Sequence, residues 1–344
     1  MRRPVFTRDL IMTLQKTLKE KLNKHITPIA YAGLLFVVFV WGTVPIFTQK
    51  LVTKSGPYSA STYNGTNGLI AAIALLIICI PKLKELNKSY FLLAIPTGFF
   101  NAIASLLQKI GLKYTTPTQY AFLENLSCVL VPILLFLFIK KKPSVTTVLA
   151  SLLCLVGSFI LSGMNFSDNS ISFGIGEILC ALAGLCYGVN IAATGAFAKK
   201  MNAGLYVMIQ MWVQAGVSFV IAVCLHTIKV DGTPIEPMLF SWKAKHIWAI
   251  VALALGSSTL CWLIRTNVMK YIDASAVAVI MPFSAVVTGV LSVILGTDDL
   301  TLNLVLGASI GFVAAILSGI ADVLDAKKKE KTTQEENKEL TEDN

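Results

Sequence analysis

Charge is scarce in this chain: 14% of its 344 residues are Asp, Glu, Lys or Arg, where a soluble domain carries about a quarter. That shortage excludes an ordinary soluble fold. Histidine is rarer still, with three in the whole chain. The seven cysteines all lie inside apolar runs with no C-x-x-C pair and no histidine cluster beside them, so zinc and disulfide frameworks are not expected. A phosphate-cradling G-x-x-x-x-G-K-[ST], a G-x-G-x-x-G, an H-E-x-x-H and a G-x-S-x-G are all missing, which leaves ATP-driven, metal-dependent and hydrolytic chemistry without their usual residues. No cofactor is expected.

Apolar runs are abundant. Hydrophobic residues make up 55% of the chain and mean hydropathy is +0.71, enough for many spans of about 20 residues. Runs at 29–50, 58–80, 90–112, 117–139, 145–163, 174–197, 203–228, 246–268, 272–295 and 302–324 predict ten transmembrane helices. Flanking them are a basic tail over 1–28, whose Leu10, Leu14, Leu18 and Leu22 share one helical face, and a Lys/Glu-rich tail over 325–344 expected to be disordered. The net charge of +10 is not a nucleic-acid signal, because the cations sit between spans: 22 of the 29 Lys and Arg fall in segments that share one side. By the positive-inside rule both termini are cytoplasmic, and the expected location is the cell membrane.

The chain also repeats itself. Lys113-Tyr114 matches Lys270-Tyr271, an offset of 157 residues that also pairs Gln108 with Arg265, Ser127 with Ser284 and Ser144 with Thr301. Trp41-Gly42 pairs with Tyr187-Gly188 at a different offset. Five spans per repeat is odd, so the second copy enters the membrane from the opposite side. The expected fold is therefore an all-α polytopic membrane protein of two five-helix inverted repeats, 29–163 and 174–324, an architecture of alternating-access carriers.

Polar residues recur within these spans at helical spacing. Thr97, Asn101, Ser105 and Gln108 form one stripe, Tyr120, Glu124 and Ser127 a second, and Tyr187, Asn190 and Thr194 a third. Gln210, Gln214 and Ser218 follow in the seventh span, Ser258, Cys261 and Arg265 in the eighth, and Asn64 with Asn67 in the second. Hydroxyls alone could tie helices together, but stripes mixing amides, rings and charges point to a shared polar cavity. Trp41, Asn101, Gln108, Glu124, Tyr187, Asn190, Gln214, Arg265 and Ser284 are the candidate pathway residues. Glu124 lies roughly 6 Å from the middle of its span by residue counting, where an ionised carboxylate is costly without a partner, and it is the proton-coupling candidate. Its alternative is a carboxylate held by Asn125 or another amide. Arg265 either gates the pathway or snorkels to the interface, and Lys109 is expected to snorkel. Pro45, Pro96, Pro132 and Pro282 interrupt spans and free carbonyls that can bend toward a cavity.

Trp41-Gly42, Leu112-Lys113-Tyr114-Thr115-Thr116-Pro117, and Leu295-Gly296-Thr297-Asp298-Asp299-Leu300-Thr301 followed by Gly307 and Ser318-Gly319 resemble the drug/metabolite transporter superfamily in its EamA-like branch. The chain departs from that pattern at Asn64, where many members have Arg, and at Glu124, where a small or hydroxyl residue is usual. The resemblance implies a carrier whose cavity is lined mainly by the first, third, fourth, sixth, eighth and ninth spans. The expected function is a secondary transporter, an exporter of a small polar or amphipathic metabolite such as an amino acid, working by alternating access with proton coupling and binding no nucleic acid. An organophosphate or nucleotide-sugar antiporter is the alternative within transport. An integral-membrane enzyme or a channel is the alternative outside it.

Overall fold

The computed structural model describes residues 6–52, 56–115, 120, 123–140, 142–161, 174–197, 200–295, 301–303, 305–318, 320 and 324, with side chains from Ile26 onward except at Ile139 and Leu161. The C-terminal tail over 325–344 lies outside these residues. Helices dominate: α1 (Phe6–Val52), α2 (Ala60–Cys79), α3 (Lys88–Gly111), α4 (Ser127–Ile139), α5 (Val145–Leu161), α6 (Ile175–Phe197) and α7 (Ala203–Thr227) come first. They are followed by α8 (Ala244–Val268), α9 (Ala274–Ile294) and α10 (Val305–Ser318). Seven of them are long and apolar enough to cross a membrane, and α4, α5 and α10 are shorter apolar helices. A small hairpin, β1 (Lys229–Val230) with β2 (Thr233–Pro234), lies between α7 and α8.

The sequence starts these helices with short polar caps. Asn87 accepts from the Ser89 amide at 3.0 Å and Asn202 from the Gly204 amide at 3.1 Å, satisfying donors a first turn leaves free. The basic segment before Ile26 does not form a separate element, since α1 runs through it without a break. Large apolar side chains such as Leu92 and Val145 point outward, and Trp242 and Trp248 stand exposed where α8 begins, as residues facing hydrocarbon and its interface do.

α2 packs mainly on α7, α3 on α6 and α7, α4 on α6, and α1 on α8 and the second half of α9. α5 and α10 meet where Gly157 approaches the backbone of Gly307 and Gly311. Several contacts recur between the two halves. The exit of α3 makes bonds from Leu112 N to Gln108 O (3.0 Å), Lys113 N to Ile110 O (3.1 Å) and Tyr114 N to Gly111 O (2.8 Å). The exit of α8 makes the same three, 157 residues on: Met269 N to Arg265 O (3.1 Å), Lys270 N to Asn267 O (3.1 Å) and Tyr271 N to Val268 O (2.9 Å). Gly42 lies so close to Val287 that an added Cβ would come within 2.5 Å, and Gly188 meets Leu130, the residue 157 before Val287, at 2.8 Å. The Thr48 and Tyr63 hydroxyls meet at 3.3 Å, as Thr194 and Tyr206 do at 3.4 Å.

Two helices are interrupted. In α9 the α-helical pattern stops at Ile280 and restarts at Phe283, with Pro282 at the join. Ahead of α4 the chain makes a turn at Asn125 and Leu126. The Cys128 N to Asn125 O bond there and its counterpart from Ala285 N to Pro282 O, again 157 residues apart, are both 2.9 Å. Pro45, Pro96 and Pro132 are accommodated inside their helices.

Candidate functional site

Both interruptions open onto one cavity with about 110 Å³ available to the centres of water molecules. Glu124, Asn125 and Ser127 come from one break, and Met281, Pro282 and Ser284 from the other. At a break, backbone groups lose helical partners and side chains can leave the helix axis, which suits a polar chamber inside apolar walls.

The eighth helix contributes through a different device. Ala254–Cys261 is π-helical, with Thr259 Oγ1 donating to the Ala254 carbonyl at 3.0 Å. Trp41 Nε1 reaches the Ser257 carbonyl of this wider turn at 3.4 Å. Such bulges commonly mark functional stretches of helices. One consequence is that Ser258 and Arg265 line the cavity, whereas Cys261, expected in the same stripe, is buried among apolar residues.

Glu124 is held by Gln108. Gln108 Nε2 donates to Glu124 Oε2 at 3.0 Å and also meets the Tyr120 hydroxyl, while Tyr187 donates to Gln108 Oε1 at 3.0 Å. Asn125, the partner considered from sequence, instead donates to Ser158 Oγ at 2.9 Å. Arg265 does not snorkel. It is 1% exposed, donates from Nη2 to Asn190 Oδ1 at 2.9 Å, and lies 4.0 Å from the Trp262 ring centroid and 5.7 Å from that of Trp41. Guanidinium groups favour such stacking because the ring faces carry negative charge.

Lys109 also departs from expectation. Its Nζ donates to Ser105 Oγ at 2.7 Å and to the Ser105 carbonyl at 3.2 Å, 5.8 Å from the Tyr63 ring centroid. It lines the cavity rather than reaching the interface, because Ser105, one turn earlier, offers two acceptors.

Of the nine residues expected along a pathway, Trp41, Gln108, Glu124, Tyr187, Gln214, Arg265 and Ser284 line this cavity. Asn101 and Asn190 are fully buried one layer behind it. Asn101 donates to Gln214 Oε1 at 2.9 Å, and Asn190 donates to the Thr97 carbonyl at 3.0 Å while receiving Arg265. Gln214 and Ser105, on the wall itself, donate back to Asn64 Oδ1 at 3.2 and 2.7 Å, and Asn64 donates to Ser218 Oγ at 2.9 Å in the layer behind. These bonds hold the side chains they join, while Asn101 Oδ1 and Arg265 Nε are buried with no partner among the described residues. Tyr63 and Trp262, absent from the sequence-derived set, also form wall, and with Tyr63 on α2 and Gln214 on α7 those two helices join the six expected there.

Outside the spans, Glu236 ties three elements together. Its carboxylate accepts from the backbone of Ala60 at 3.0 Å and Ser61 at 3.1 Å at the start of α2, and pairs with Lys113 beyond the end of α3. Burial pushes the Glu236 carboxyl up, but the bonds from Lys113, Ser61 and Ala60 outweigh it and hold it below the usual glutamate value.

Apolar outer faces around a buried, charged, aromatic-walled chamber define a polytopic membrane protein with an internal small-molecule cavity. The sequence pattern of the EamA-like transporter family matches residues 28–163 and again 174–320; the chain belongs to that family and is a membrane transporter. It is 26% identical over 286 residues to an uncharacterized transporter of Archaeoglobus fulgidus, covering 83% of this chain and 84% of that one. Identity to an uncharacterized transporter of Synechocystis sp. is 23% over 316 residues, with 86% and 88% covered. Identity to the uncharacterized transporter YyaM of Bacillus subtilis is 26% over 243 residues, with 67% and 74% covered. A protein solved by crystallography shares the fold, with a TM-score of 0.65 over 86% of this chain and 98% of its own at 15% identity.

Proposed function

We propose that the chain is a ten-span secondary transporter of two five-helix inverted repeats, 29–163 and 174–324. In this reading it exports a small polar or amphipathic metabolite, such as an amino acid, by alternating access coupled to protons at Glu124. Both termini are cytoplasmic in the cell membrane. The repeat reading is supported by backbone bonds and glycine contacts that recur at one offset, since an odd number of spans per copy inverts the second. Orientation rests on the cation asymmetry, which survives moving Arg265 and Lys109 into the cavity.

The observation that carries the functional reading is the placement of Glu124 and Arg265 on one cavity, each bonded to a neutral amide and not to the other. A zwitterion between them would meet an acceptor for its ammonium and a donor for its carboxylate. An organophosphate antiporter is the second reading, favoured by Lys109 joining Arg265 on the wall; the carboxylate among them weighs against it. A channel needs no such opposed charges, and an enzyme needs a reacting pair in contact, which Glu124 and the two cations do not form among the described residues. Purified protein in proteoliposomes, assayed for labelled amino acids and phosphate esters with and without a pH gradient, tests the reading. Amino-acid flux driven by the gradient is expected; steady ion conductance or flux of phosphate esters alone contradicts it.

A further inference from the structure

Three charged side chains share the cavity wall, and no two of them form an ion pair. Among the described residues the one ion pair is Lys113 with Glu236, outside the spans. Lys109 uses Ser105 for two of its three N–H donors. Arg265 reaches a described acceptor, Asn190, only through Nη2, and Glu124 rests on an amide. Unlike charges held apart in a poorly solvated chamber are costly, and the neutral network behind them keeps them apart. The wall therefore presents two cations and one anion.

We propose that the preferred substrate is an amino dicarboxylate, its ammonium at Glu124, one carboxylate at Arg265 and the second at Lys109, which makes Lys109 the residue that selects an acidic over a neutral side chain. This rests on the amino-acid reading above and adds the second carboxylate to it. A neutral amino acid would leave the Lys109 ammonium with a free donor. A simple dicarboxylate would leave Glu124 facing no cation of the ligand.

Counterflow in proteoliposomes, with glutamate, glutamine and glutarate as competitors, tests this. Glutamine matches glutamate in shape but lacks one charge, and glutarate keeps both carboxylates but lacks the ammonium. Glutamate is expected to compete at concentrations at least about ten-fold lower than either, the scale expected when one partner of a buried charge pair is lost. Lys109→Gln should bring glutamate and glutamine level while glutamine still exchanges, which also shows that the variant folds, and Lys109→Arg should keep the preference. Equal or better competition by glutamine in the unaltered protein overturns the inference and leaves the amino-acid reading standing. A glutamate preference that persists in Lys109→Gln removes Lys109 as its source. Exchange of glutarate with no amino acid exchanged overturns both.

Discussion

Gln108 and Arg265 hold equivalent places in the last turns of α3 and α8, 157 residues apart, each accepting the first of three matching backbone hydrogen bonds, and both side chains reach the same cavity. One is a neutral amide holding Glu124, the other a guanidinium held by Asn190 and stacked on Trp262. Equivalent positions in the two matched halves thus bring different chemistry to one cavity.

Arg265→Gln, which places at this position the residue its counterpart already has, should keep the fold and lower transport by at least about ten-fold, since it removes a buried charged donor. Arg265→Lys should lose nearly as much, because an ammonium cannot reproduce planar stacking on Trp262. Initial rates in proteoliposomes, with gel filtration as the control for folding, check both.

Close approach at Gly42 and Gly188 gives a stability prediction. An added methyl at Gly42 would overlap Val287, so Gly42→Ala should destabilise by about 1–3 kcal/mol. Gly188→Ala should behave similarly against Leu130. Gly216 has nothing within 4 Å of an added Cβ, so Gly216→Ala should be neutral or slightly stabilising. Thermal unfolding in detergent distinguishes the three.

Glu236 gives a pH prediction. Its folded-state carboxyl lies below the ordinary value, so the stability it contributes is complete above about pH 4.3, the unfolded value, and is lost as pH falls through the folded value. Melting of the unaltered protein should therefore fall with pH in that acid range. Glu236→Gln should melt lower at neutral pH and show a shallower acid dependence.

The cavity was legible in part because helical spacing alone gathers Gln108, Tyr187 and Gln214 on inward stripes, and because the Lys-Tyr repeat gives the offset that the backbone bonds follow. Lys109 was misread although it lies one turn after Ser105; its partner on the same helix was the available signal. Tyr63 and Trp262 gave none, since an aromatic ring in an apolar run reads equally as packing. The π-helical turn in α8 moved Cys261 out of a stripe assigned by regular periodicity. Glu236 contacts α2 across 176 residues of sequence, and no local pattern encodes a contact of that range.

Glu124→Gln in proteoliposomes tests the central claim most directly. The amide keeps the shape and the Gln108 contact but cannot take up or release the proton. Substrate exchange without a gradient should persist, with an apparent affinity at least about ten-fold weaker because the substrate ammonium loses its carboxylate partner, while uphill accumulation driven by a pH gradient disappears. Accumulation that stays as large and as pH-dependent as in the unaltered protein would contradict the account and leave Glu124 as a carboxylate held only for structure.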